Sequence, residues 1–293
     1  MDFEAKEIIS EVFNCSAANI RHRKDLKSGM TNDSYVFSVK GNPGYYILRT
    51  PGAGTEMLIS RENEYDVYQK VLPLGISDDI VYICKDSGLK ITRYWENSRI
   101  CDKDNESDVR ASMKVLREFH NLGITVSHEF CLIERIQYYE GLLGGKPSRY
   151  SDYGITKSRI FDLINYLSNI KKNHVLTHID AVPSNFLFLP SGEIHLIDWE
   201  YAGMQDPHID IAMFAVYAMY DKQETDKLID IYFLDSAKPD TRKKIYAYVA
   251  MCGLLWSNWC EYKAVHGEEF GEYALRQYRF AKEYYDLFSE FKA

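Results

Sequence analysis

His178-Ile-Asp-Ala-Val-Pro-Ser-Asn185, then Phe186-Leu-Phe-Leu189, Pro190-Ser-Gly192 and Glu193-Ile-His-Leu-Ile-Asp-Trp-Glu-Tyr201, is the stretch on which the reading of this chain turns. Two short apolar runs, 186–189 and 194–197, flank a Pro-Ser-Gly turn, the pattern of a β-hairpin. Asp180 and Asn185 lie on the loop leading into the first strand, and Asp198 ends the second. A hairpin sets its edges side by side, so three oxygen-bearing side chains are expected to converge on one volume.

Oxygen donors in this order suit phosphoryl transfer. An Asp orients the attacking hydroxyl, an Asn five residues on holds one magnesium ion, and a second Asp after a strand bridges Mg²⁺ to the phosphates of ATP. H-x-D-x-x-x-x-N alone is a weak signal. Its specificity comes from the apolar-apolar-Asp-aromatic-Glu run whose Asp198 follows Asn185 by thirteen residues. The competing reading is a plain hairpin with Asp and Asn as turn formers.

The totals are compatible. The chain has 293 residues, enough for two modest domains or one bilobal unit, with 46% hydrophobic and 27% charged residues. Net charge is −8 and is not blocked into one segment, which argues against nucleic acid as the partner. A small basic cluster, Arg21, Arg23, Lys24 and Lys27, reads as a solvated strand edge. The six cysteines are scattered without a C-x-x-C pair, so neither a zinc site nor a disulfide framework is expected. The first residues lack a signal-peptide pattern. The longest near-apolar run, 209–220, is too short to span a bilayer. A cytoplasmic, reduced protein without membrane insertion is the expectation.

In chain order, an amphipathic helix covers 3–13, a hairpin covers 34–50 around Gly41-Asn-Pro-Gly44, and a helix follows to about 72. Strands are expected at 80–84 and 89–93. Beyond 100 the periodicity turns helical, with helices at about 129–140, 156–172, 209–220, 223–234, 240–265 and 271–290. The Gly/Ser/Tyr-rich segment 141–153 reads as a mobile loop. The fold class is therefore α+β and bilobal, protein-kinase-like. A small antiparallel β-sheet lobe with one long helix (1–94) leads through a hinge (95–100) to a mainly helical lobe (101–293) with the catalytic hairpin embedded in it.

A lobe that binds ATP should offer phosphate donors, a cation and an acid to orient that cation. Gly29, Met30, Thr31, Asn32 and Ser34 lie in a turn between two strands, where backbone N–H and hydroxyl groups suit phosphate oxygens; a plain hairpin turn fits equally. Arg49 is the cation on the second strand of the hairpin, where a kinase places its phosphate-pairing lysine, and its planar fork binds phosphate bidentately. Glu64 is the favoured partner of Arg49, with Glu62 as the alternative. Tyr94 and Trp95 stand where a kinase hinge meets adenine. Asp210, alone in an apolar run, needs buried hydrogen-bond partners; the backbone of the His178–Asp180 loop is the natural one.

For the acceptor, Trp256 and Trp259 share a helix face, and Glu200 and Tyr201 follow the metal-binding Asp. Tyrosines, including Tyr273, cluster farther on. Aromatic faces suit a quaternary ammonium group, although a tryptophan pair on a helix is more often core packing. Taken together, Gly29–Ser34, Pro51–Glu56, Asn63-Glu64, His178–Asn185, Ile197–Tyr201, Asp206-Pro, Asp210-Ile-Ala, Trp256-Ser-Asn-Trp259, Phe270-Gly and Tyr273 resemble the choline/ethanolamine kinase family, bacterial choline kinases above all. The resemblance implies ATP and Mg²⁺ as cofactors and choline as small-molecule substrate. It implies that Asp180 takes the proton from the choline hydroxyl and that Asn185 and Asp198 bind Mg²⁺. Trp256, Trp259, Tyr201 and Tyr273 would line the ammonium pocket, with Glu200 a candidate anionic partner. Ile179 and Ala181 depart from the H-N-D-L pattern, and Phe214–Tyr217 lacks the acid that eukaryotic members carry there. The rivals are an ethanolamine, aminoglycoside or other small-alcohol kinase of the same fold, and a non-catalytic pseudokinase module.

Overall fold

The computed structural model describes residues 3–26, 32–52 and 55–291. Helix α1 (Phe3–Val12) is followed by β1 (Ile20–Leu26), β2 (Asn32–Val39), β3 (Tyr45–Pro51), α2 (Arg61–Val71), β4 (Ile80–Ile83), β5 (Lys90–Tyr94) and β6 (Arg99–Ile100). Then come α3 (Glu106–Asn121), α4 (Leu132–Leu142), α5 (Tyr153–Ser168) and β7 (Val175–Thr177). The chain continues through β8 (Phe186–Phe188), β9 (Ile194–Leu196), β10 (Gly203–Gln205), α6 (His208–Ala218), α7 (Lys222–Phe233), α8 (Pro239–Val265) and α9 (Glu272–Glu290). Two compact units result: Met1–Cys101 with Ser184–Ala202, and Asp102–Pro183 with Gly203–Ala293.

The first unit is built on an antiparallel sheet of order β1-β2-β3-β5-β4. Alternation along each strand sends side chains to opposite faces. On one face Phe37, Val39, Tyr46, Leu48 and Ile91 pack with Ala5 and Ile9 of α1. The residues between them, Arg49 on β3 and Lys90 on β5, therefore point to the other face, where both hydrogen-bond to side chains of α2. Ser60 caps α2 by accepting from the Asn63 N–H at 3.3 Å. At the sheet edge, β1 carries the exposed Arg21, Arg23 and Lys24, as charged edge strands do; Lys27 lies outside the described residues.

Two features of this unit differ from expectation. The turn expected over 28–34 gives way to strand by Asn32, because Asn32 and Asp33 continue the ladder opposite Pro51 and Thr50. The hairpin β8/β9, expected among the helices, belongs to the first unit. There β8 pairs with β6, the Cys101 N–H donates to the Phe186 carbonyl at 3.0 Å, and the Leu196 N–H donates to the Ile76 carbonyl at 2.7 Å.

The second unit is helical and centred on α8, which is buried continuously from Lys244 to Tyr262, as a core helix must be. Gly253 lets α9 approach closely, since a Cβ there would stand 2.7 Å from the Gln277 carbonyl oxygen. The segment 141–153 is anchored rather than loose. Ser148 Oγ and the Arg149 N–H donate to Glu261 at 2.8 and 2.9 Å, and Tyr150 stacks on Tyr278 at 3.8 Å. No helix among the described residues is long and apolar enough to cross a membrane.

Candidate active site

In the first unit, Arg49 is the hub. Its Nη2 donates to both oxygens of Glu64, at 2.6 and 2.8 Å, and to the Gly88 carbonyl at 3.1 Å. Its Nη1 donates to Asp198 and to Glu200, each at 3.1 Å. Glu64 is thus the acid paired with Arg49, whereas Glu62 is exposed and pairs with Lys85 at 2.8 Å. Burial disfavours the Arg49 cation, but Glu64, Glu200 and Asp198 outweigh it and hold the guanidinium above its ordinary range.

A second arginine, not singled out in the sequence, completes the network. Arg61 donates to Glu64 at 2.9 Å, to Glu200 at 3.1 Å, and to Asn32 and Thr55 at 3.3 Å. A cation in the first turn of a helix opposes the helix dipole, a sign that Arg61 answers to other partners. Gly88 is required for this packing: its φ is +70°, and a Cβ would lie 2.2 Å from Arg61 Cδ. Lys90 is the third cation, and the β3–β5 register sets it directly opposite Arg49. Like charges so placed repel unless carboxylates intervene.

Glu200, a candidate in the sequence for the acceptor's cation, accepts here from Arg49, Arg61 and Asn32, the last at 3.0 Å. Burial would raise its pKa, yet these partners together hold it below the usual range. Its charge is already met. Asp198 differs. Burial, with Glu200 beside it, pushes its carboxyl upward against Lys90 and Arg49. Its side chain is 34% exposed, against 0% for Glu64 and 2% for Glu200.

These residues fit a divalent cation. Asp78, Glu64, Asp198 and Glu200 place four carboxylates around the three cations Arg49, Arg61 and Lys90, an excess of one negative charge among the described residues. The most accessible of the three interlocked carboxylates Glu64, Asp198 and Glu200 is Asp198. The Asn185 carbonyl accepts the Ile197 N–H at 2.9 Å, so Asn185 stands at the same end of the hairpin as Asp198. A carboxylate and an amide oxygen are hard ligands of the kind Mg²⁺ takes.

The remaining first-unit candidates are placed as follows. Ser34 on β2 lies opposite Arg49. Tyr94 ends β5 and its hydroxyl accepts from Lys24 at 3.0 Å, while Trp95 meets the His195 ring edge-on at 6.0 Å. Tyr201 is buried. Gly29, Met30 and Thr31 lie outside the described residues.

In the second unit, Asp210 accepts the His178 and Ile179 N–H groups at 2.8 and 2.7 Å, with His120 at 2.9 Å on the same carboxylate. This clamp holds Ile179 at φ +68°, a conformation β-branched residues strongly avoid, immediately before Asp180. Trp256 and Trp259 are buried, their rings 5.8 Å apart and nearly perpendicular. Tyr217 meets Trp256 at 5.2 Å and Tyr273 at 6.1 Å, and Phe270 meets Trp259 at 5.0 Å. Burial, then Cys260 and Asp180, raises the Tyr273 hydroxyl well above its ordinary range. Tyr217 and Phe270 were not named in the sequence as pocket residues. Tyr217 lies on α6, too far along the chain from Trp256 for local spacing to reveal their contact.

Known proteins are similar to this chain in sequence and in fold. The model of the choline/ethanolamine kinase family matches residues 24–251. The protein LicA of Haemophilus influenzae is 30% identical over 263 residues, covering 85% of this chain and 96% of that protein. The crystal structure of choline kinase LicA from Streptococcus pneumoniae matches with a TM-score of 0.82 at 27% identity, covering 97% of this chain and 99% of that one. A structure of LicA in complex with AMP matches at 0.80 and 26%, covering 98% and 100%. The α+β fold is that of the kinase-like phosphotransferases, and the protein is an ATP-dependent phosphotransferase that acts on an alcohol. The chain belongs to the choline/ethanolamine kinase family.

Proposed function

We propose that the alcohol is choline and the product phosphocholine. The observation that carries this reading is the ring cluster of Tyr217, Trp256, Trp259, Phe270 and Tyr273. A trimethylammonium group donates no hydrogen bond and is attracted to ring faces, at roughly 0.5–2 kcal/mol per contact. A primary ammonium such as that of ethanolamine wants acceptors instead. The nearest acid on α8, Glu261, is already engaged by Ser148 and Arg149. The relatives named as choline kinases support the same choice.

In this reading Asp180 accepts the proton of the choline hydroxyl as its oxygen bonds to the γ-phosphorus and ADP leaves. Asp198 and Asn185 would hold Mg²⁺, which neutralises phosphate charge. Arg49, held by Glu64, faces the phosphates, with Asn32 and Ser34 at the start of β2 on the same side of the chemistry. Tyr94 and Trp95 border the adenine, and Tyr201 contributes to the acceptor site. Glu200 serves the phosphate side by tying Arg49 to Arg61. Catalysis rests on positioning and charge, without a phosphoenzyme.

Calorimetric titration of choline and of ethanolamine, each with a non-hydrolysable ATP analogue and Mg²⁺ present, tests the acceptor assignment. Choline binding at least about tenfold tighter is expected, one favourable ring contact being worth roughly that factor. Equal or tighter ethanolamine binding would overturn it.

A further inference from the structure

The hairpin that carries Asp198 ends in a backbone conformation that needs explaining. Leu196 and Ile197 donate their N–H groups to the Ile76 and Asn185 carbonyls, at 2.7 and 2.9 Å. The chain then turns into the left-handed region at Asp198, φ +68°, which non-glycine residues rarely adopt without support. The displaced Asp198 N–H is caught by the carboxylate of Asp78, at 3.1 Å. Asp78 stands two residues beyond Ile76, so one short segment holds both the strand and the turn that follows it.

Asp78 is itself held. The Tyr68 hydroxyl, from α2, donates to Asp78 Oδ2 at 2.5 Å, and Lys90 Nζ, from β5, donates to the Tyr68 oxygen at 2.6 Å. Tyr68 is fully buried and the Lys90 side chain is 4% exposed. Lys90 Nζ also lies 3.7 Å from Asp78 and 3.9 Å from Asp198. A buried lysine, tyrosine and aspartate linked in series stabilise a charge on the last of them. Here that charge accepts from the backbone of Asp198.

We propose that Asp78, fixed by Tyr68 and Lys90, is a positioning residue that holds Asp198 in its left-handed conformation and thereby aims its carboxylate. The second unit uses the same device, with Asp210 holding left-handed Ile179 next to Asp180. The proposal deepens the reading of Asp198 as a Mg²⁺ ligand and rests on it.

Two variants of the full chain test it: Asp78→Ala, which removes the acceptor, and Tyr68→Phe, which loosens it while leaving ring packing intact. Amide hydrogen exchange resolved to single residues should be roughly tenfold to hundredfold faster at Asp198 in Asp78→Ala, the loss of one hydrogen bond to a charged group. Exchange at Leu196 and Ile197 should stay near wild type. With a non-hydrolysable ATP analogue, Mn²⁺ followed by electron paramagnetic resonance should bind roughly tenfold more weakly in both variants, while the acceptor KM moves less than about twofold. Unchanged Asp198 exchange and Mn²⁺ affinity in a folded variant would overturn the proposal. So would exchange that accelerates equally at Leu196, Ile197 and Asp198, since Asp78 would then merely support the hairpin. If Asp78→Ala does not fold, Tyr68→Phe decides by the same two readings. Failure of wild-type protein to bind Mn²⁺ would sink the metal assignment instead, and the Asp198 exchange rate alone would then judge the clamp.

Discussion

In the proposed reading each unit offers a place for a cation, and the two are built on opposite physics. Around Asp198 the first unit gathers carboxylates and balances all but one of them with Arg49, Arg61 and Lys90. Around Trp256 and Trp259 the second unit gathers rings and keeps its nearby acid, Glu261, occupied. The difference matches two kinds of cation. A small hydrated divalent ion yields its water only to charged or strongly polar oxygens. A methylated ammonium offers no hydrogen bond and sheds water readily for polarisable surface. The ionic cluster also costs desolvation that its internal pairing must offset, whereas the ring cluster contributes burial directly.

That contrast can be broken at several strengths. The largest expected effect is on chemistry: Asp180→Asn should lower kcat about a thousandfold, within the usual range for loss of a general base, with the ATP KM little changed. Turnover near wild type would remove Asp180 from its role. Next is Glu64→Gln, which leaves Arg49 and Arg61 without a fully buried anion. Urea unfolding should show a loss of about 3 kcal/mol, accompanied by a higher ATP KM and an unaltered choline KM. A loss below about 1 kcal/mol would mean that the network is looser than its distances indicate. Smaller again is Trp256→Leu, which keeps apolar volume but removes the ring. The choline KM should rise roughly 3- to 30-fold, the worth of one cation–ring contact, while the ATP KM stays put. Equal rises in both would make the tryptophan a packing residue only. The smallest effect belongs to Glu62→Gln, an exposed acid on the same helix as Glu64, where neither melting temperature nor ATP KM should move measurably.

Much of this was legible in the sequence, and what was not has a common cause. The hairpin announced itself through two apolar runs about a Pro-Ser-Gly turn. The pairing of Arg49 with Glu64 followed from the kinase-like layout, which asks for an acid to orient the phosphate-binding cation, and the capture of the 178–179 backbone by Asp210 from the cost of leaving a buried carboxylate unpaired. Lys90, Tyr68 and Asp78 escaped notice because their association depends on strand register and on the segment that docks against the hairpin, neither of which has a local pattern. Glu200 was a candidate for the acceptor because it stands two residues from Asp198. Sequence proximity could not reveal that its side chain meets Arg61 from α2. Tyr217 joins Trp256 across two helices distant in the chain. Contacts between elements were readable where a recurrent layout or a lone buried charge demanded a partner, and were not where register and docking alone brought the side chains together.

The most direct test of the account is ADP release by the purified protein with Mg-ATP and, in turn, choline, ethanolamine and an aminoglycoside as acceptor. Choline-dependent turnover well above that with the other two is the result the ring cluster predicts. Turnover led by ethanolamine or the aminoglycoside would contradict it, leaving the phosphotransferase intact and the acceptor site misread.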